Sequence, residues 1–116
     1  MTNSLTIDIT AWGETHTCWV RRQSYSNGRL ALDLWFEDDF GPAPYGMITV
    51  NLPDQHLNEG ELFVKDWAEN EPIASALLEA GWITPTGREV ASGFVFPLVA
   101  RAAGPLKEFL DSGAED

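Results

Sequence analysis

"THTCWVRRQSYSNGRLALDLWF", residues 15–36, decides how this chain is read. Before its centre, Thr17, Trp19 and Arg21 alternate with Cys18, Val20 and Arg22. After it, Leu30, Leu32, Leu34 and Phe36 alternate with Ala31, Asp33, Trp35 and Glu37. A period of two is the mark of a strand with two unlike faces. Between the runs stands Asn27-Gly28, the pair best suited to a type I′ turn, in which both central residues take positive φ. The stretch predicts an antiparallel hairpin.

Working outward, "SLTIDITAW" places Leu5, Ile7, Ile9 and Ala11 on one face and Thr6, Asp8 and Thr10 on the other, a further strand joined through a turn at 13–14. On the other side, "EDDFGPAPYG" (37–46) reads as a loop from its Gly, Pro and acid content. "MITVNLP" (47–53) reads as a fourth strand, "DQHLNEGE" as a loop and "LFVKD" as a short extended segment. A helix over about 71–80 follows. Asn70 suits its N-cap, Pro72 its first turn, and the Glu71 carboxylate the positive end of its dipole. Ile73, Ala76, Leu77 and Ala80 form its apolar stripe, and Gly81 supplies a left-handed C′ residue. "ITPTGREV" and "GFVFPLVARA" are expected to be extended, with turns at "PTG" and at "SG" (92–93). The tail "GPLKEFLDSGAED" predicts a short helical turn before a frayed end at 111–116. The expected fold is α+β: one domain over 1–116, a curved and mostly antiparallel sheet of five to seven short strands packed against one main helix.

Composition agrees with such a domain. Of 116 residues, 44% are hydrophobic, and five Trp with six Phe can fill much of one core. No apolar run approaches the roughly 20 residues that cross a bilayer. "MTNSLTIDIT" has neither the basic nor the apolar region of a secretory signal. A single Cys excludes an intrachain disulfide and suits a reducing compartment, so a cytoplasmic location is expected.

The net charge is −11 and is placed unevenly. Residues 1–32 hold two acids and three bases, 33–79 eleven acids and one base, and 80–116 five acids and three bases. Such a balance argues against direct binding to nucleic-acid phosphates or to an anionic membrane surface.

Chemistry-bearing motifs are scarce. His16 and Cys18 share a strand face, but a metal would need two more ligands, from His56 and a carboxylate, and the paired knuckles of structural zinc sites are missing. Cys18 reads as a buried, inert thiol, with a nucleophilic Cys–His pair as the alternative. There is no G-x-S-x-G, no phosphate-binding Gly loop and no calcium loop. Carboxylate pairs such as "EDD" (37–39) are unavoidable in so acidic a chain. No catalytic residue, metal or cofactor is expected.

Trp35 stands between Asp33 and Glu37, with Phe40 and Tyr45 beyond. Either Trp35 packs on a second layer above a solvated acidic rim, or acids and aromatics together form a surface for a basic cleft on another protein.

The string "VNLP…GELFVKDWAENEP…LLEAGWITPTGREVASGFV" resembles a family of small acidic bacterial proteins of unknown function associated with mobile elements. The likeness covers roughly residues 5–100 and rests on Asn51, Pro53, Gly60, Asp66, Asn70, Glu71, Gly81, Pro85, Thr86, Gly87, Ser92 and Gly93. Pro72 departs from the Gly often found there, and "EDDFGPAPY" is matched least. The resemblance implies no catalytic residue. It implies a setting in which small acidic inhibitors of restriction or CRISPR complexes occur, some presenting carboxylates where DNA phosphates would lie. The expected contacts are Asp33, Trp35, Glu37, Asp38, Asp39, Tyr45, Glu59, Glu61, Asp66 and Glu69, meeting the basic surface of a host protein or nucleoprotein complex. The chain itself is expected to be a monomer or homodimer. The rival expectation is a mobile-element accessory protein whose acids serve solubility alone. A less favoured third is a small metal- or Cys-dependent enzyme.

Overall fold

The computed structural model describes residues 5–90 and 97–112, apart from the side chains at positions 69 and 89. The expected turn at 92–93, the first residues of "GFVFPLVARA" and the last four of the tail lie outside them. The fold is α+β, with seven strands in two antiparallel sheets and two helices among the described residues. The first sheet is a meander of β1 (Thr6–Ala11), β2 (Glu14–Ser24), β3 (Leu30–Asp38) and β4 (Gly41–Met47). The second comprises β5 (Glu61–Val64), β6 (Ile83–Glu89) and β7 (Leu98–Ala102), in the order β5-β7-β6. A short 3₁₀ turn (Ala68–Asn70) leads into α1 (Glu71–Glu79), and α2 (Gly104–Asp111) closes the described chain.

The central hairpin forms with Val20 opposite Leu34 and Ser24 opposite Leu30. Its turn differs from the type I′ expectation. Tyr25 N–H donates to Arg29 O and Gly28 N–H to Tyr25 O, and Gly28, at φ 85°, is the turn's positive-φ residue. This is a three-residue connection with glycine in the left-handed position. The first hairpin turns at Trp12-Gly13, one residue earlier than expected.

Further expectations are corrected. The stretch 47–53 is no separate strand: Met47 ends β4, and beyond it Thr49 makes an isolated bridge to Val64. The expected turn at 85–87 lies within β6, as a register shift between Pro85 and Glu89. The segment 37–46 is no loop: β3 runs through Asp38, the chain turns at Asp39-Phe40, and β4 returns with Pro42 opposite Glu37 and Pro44 opposite Trp35. Proline is tolerated there because β4 is an edge strand with no neighbour to receive its N–H groups. A bulge between Leu34 and Trp35 leaves Tyr45 as the extra residue. Asn70, in turn, caps no amide. It has helical dihedrals, and its side-chain amide donates to Met47 O and to Lys65 O, tying the helix start to the end of β4.

The C-terminus of α1 forms as expected. Gly81 takes φ 74°, its N–H donates to Leu78 O, and Trp82 N–H reaches Leu77 O, the paired bonds of a Schellman ending. Ile73, Ala74 and Leu77 are its buried face, while Ala80 is exposed. They pack on Ile9, Cys18, Val20, Leu32 and Leu34 of the first sheet and join Leu62, Val64, Ala100, Leu106 and Phe109 in one core. Arg22 donates to Leu110 O at 3.0 Å, fastening α2 beside it.

Candidate functional site

Strand direction puts two turns at one end of the first sheet. β1 and β3 both run toward it, so the Trp12-Gly13 and Asp39-Phe40 turns are neighbours there. The β2–β3 pairing runs as far as Cys18↔Phe36, and both turns lie beyond it at this end. Glu14, Glu37, Asp38 and Asp39 are all exposed at this end. Beside them Trp12 is 78% and Phe40 98% exposed, the two most exposed large apolar side chains among the described residues. Asp38 Oδ1 accepts the Phe40 N–H at 2.7 Å, which fixes the turn and projects Phe40 from it. Among the described residues no ion pair joins Glu37, Asp38 or Asp39 to a Lys or Arg.

The seven bases lie elsewhere, each in contact with the chain itself. Arg21 stacks 4.5 Å over Trp35, and the Lys65 ammonium lies 5.9 Å from the Trp67 ring centre. Arg22 holds Leu110 O, and Arg29 holds Leu52 O and Gln55 O. Arg88 and Arg101 approach Glu61, and Lys107 pairs with Asp111. The negative field at the turn end is therefore not offset locally.

The other expected contacts divide. Asp33 is buried at 9% exposure, its Oδ2 accepting from Gln23 Nε2 and from the Trp35 indole, each at 3.0 Å. Glu61 is buried at 6% exposure, because β5 is covered on both faces. Glu61 Oε1 takes Arg88 at 2.7 Å and the Asn58 N–H at 2.8 Å, and these bonds hold its carboxyl down to about 2. Both are corrected as surface contacts. Glu59 is exposed but lines a cleft with Leu30, at the far end of β3 from Asp38. Asp66 is half-buried, and desolvation raises its pKa. The Glu69 side chain lies outside the described ones. The acids thus do not form one surface; Glu37, Asp38 and Asp39 do.

Trp35 and Tyr45, expected to act together, face opposite sides of the sheet. Trp35 lies with Arg21 and Asp33 on the outer face. Tyr45 packs against Phe36 and His16 on the inner one, at ring-centre distances of 5.6 and 5.8 Å. Desolvation, with smaller contributions from Cys18 and Glu14, raises the Tyr45 pKa. His16 Nε2 bonds Glu14 at 3.1 Å, while Cys18 is fully buried with its thiol pushed up to about 11, by burial first and Asp8 second. His56 bonds Asn58 on a loop. Among the described residues no group of three His, Cys, Asp or Glu side chains is placed to hold a metal ion. Nor is any described helix long and apolar enough to cross a membrane.

Reading the sequence missed Trp12, Glu14 and the exposure of Phe40. "AWGE" carried the signal, since a hairpin turning at Trp-Gly leaves the Trp without a strand neighbour to cover it.

No protein-family model matches the chain, and no match was found among curated proteins or solved structures.

Proposed function

We propose that this chain is a non-enzymatic binding domain whose acidic turn end docks on the basic surface of a nucleic-acid-binding protein or nucleoprotein complex. The carrying observation is the separation of charge. All seven bases contact the chain itself, while Glu37, Asp38 and Asp39 stand exposed without a basic partner at the end of the sheet where Trp12 and Phe40 are also exposed. Carboxylates without a basic partner on an exposed hairpin steer a basic partner, and exposed aromatics give the contact a desolvated centre. A groove shaped for one negative charge per roughly 1.7 Å of duplex is a fitting receptor, because it already accepts a polyanion. The mobile-element resemblance makes a host-defence nuclease complex the particular partner we favour, with the chain as its inhibitor.

Charge reversal tests this reading. Glu37→Lys, Asp38→Lys and Asp39→Lys together keep the fold, since all three side chains are exposed, and abolish capture of the partner. Unchanged capture contradicts the proposal and leaves the acids with a role in solubility alone.

A further inference from the structure

A cleft of about 470 Å³ opens between the first hairpin, β4 and the start of α1. Trp12, Glu14, His16, Tyr45, Lys65 and Ile73 are among the residues that line it. Its floor is kept open by Gly46, where a Cβ would come within 2.8 Å of Ile73 Cδ1.

Trp12, on the lip of this cleft, is the least expected residue in the molecule. Its φ is 51°, a left-handed conformation that a bulky side chain rarely adopts and that Asn or Gly would take readily in this turn. Its ring is also 78% exposed. Neither turn chemistry nor core packing accounts for Trp here, and strain kept at an exposed aromatic points to a contact made with something else.

We infer that this cleft receives a cationic side chain, the guanidinium or ammonium of an Arg or Lys presented by the partner; the inference rests on the reading of a basic partner given above. The walls have the required chemistry. Aromatic faces attract a cation through their ring quadrupoles, and a carboxylate accepts its N–H groups. Trp12 and Tyr45 supply the faces, and Glu14, whose carboxylate already accepts from His16 Nε2 at 3.1 Å, supplies the counter-charge. The chain already stacks one of its own guanidiniums on an aromatic face, with Arg21 4.5 Å over Trp35. Lys65 is the one basic side chain on the lining, and its ammonium is engaged 5.9 Å from the Trp67 ring centre. An anionic occupant would also meet Glu14 on the lining and Glu71 in the first turn of α1, where the Glu71 N–H is already taken by Ala68 O. The net charge of −11 opposes an anion throughout.

The test is an NMR titration with N-acetyl-arginine-N-methylamide, compared with the citrulline derivative, its neutral isostere. The arginine compound should shift the Trp12 indole and the His16 and Tyr45 rings saturably; citrulline should not. Glu14→Gln, an exposed position, should weaken the arginine titration at least five-fold with the remaining spectrum unchanged. Equal shifts from both compounds, or shifts confined to Asp38 and Asp39, overturn the cleft assignment. Failure here is separable from failure of the functional proposal. The triple reversal at Glu37, Asp38 and Asp39 should leave the cleft titration intact while removing partner capture. Capture that depends on those acids, with no arginine response at Trp12, overturns this inference alone.

Discussion

Arg88 meets Glu61 at 2.7 Å on the covered face of the second sheet, where the glutamate side chain is only 2% exposed. The pair does more than neutralise a buried charge. The same arginine holds His56 O, while Arg29 holds Leu52 O and Gln55 O, and Arg101 holds Glu59 O. Three guanidiniums thus satisfy the carbonyls of the loop before β5, and Glu61 anchors two of them from beneath. Breaking such a pair from one side leaves the other charge uncompensated.

A pH dependence follows. The Glu61 carboxyl is held down from 4.5 to about 2, chiefly by Arg88 and then by the Asn58 N–H. A depressed acid stabilises the fold fully above its unfolded value and loses that contribution as pH falls through the folded one. Wild type should therefore exceed Glu61→Gln in stability by a constant margin at neutral pH, and the margin should close between about 4.5 and 2. Urea unfolding of both proteins across that range checks it. A margin independent of pH would show that the ion pair contributes nothing.

Gly104 begins α2 at φ 49°, and a Cβ there would lie 2.9 Å from the carbonyl oxygen of Gly81. Gly81 is itself left-handed, so the end of α1 and the start of α2 touch backbone to backbone. Gly104→Ala should destabilise the protein by about 1–3 kcal/mol through strain and overpacking. Its thermal midpoint should fall without change in the spectrum of the first sheet.

Cys18 should be inert while the protein is folded. With the thiol at about 11 and no exposed surface, only about a thousandth of it is thiolate at pH 8. Modification by iodoacetamide should follow the unfolding rate and become fast only in denaturant. Rapid labelling of the native protein would reopen a nucleophilic role for Cys18 beside His16.

Trp12→Asn should raise stability by about 0.5–1 kcal/mol, because Asn tolerates the left-handed position and removes an exposed ring. The same variant should lose partner capture. A drop in stability instead would mean that Trp12 serves the fold and not a contact.

Most of the first sheet was legible because each strand alternates along its own length, so residues 6–24 and 30–36 carry their faces in local order. The helix was legible from Pro72, its apolar stripe and Gly81. What escaped depends on neighbours remote in sequence. Pro42 and Pro44 signal a loop locally and become strand only because β4 is an edge. Asp33 and Glu61 look like surface acids until Gln23, Trp35, Arg88 and the 52–60 loop close over them. That Trp12 and Phe40 share one end of the sheet follows from the meander, which places turns 27 residues apart there. No composition count contains it.

The most direct test of the account is competition. A nucleic-acid-binding protein captured from host lysate at low salt should be released from wild type by duplex DNA and by moderate salt, and should not be captured by the triple reversal of Glu37, Asp38 and Asp39. Capture that persists in the reversed variant, or that duplex DNA leaves undisturbed, would contradict the claim that this acidic end occupies a phosphate-binding surface.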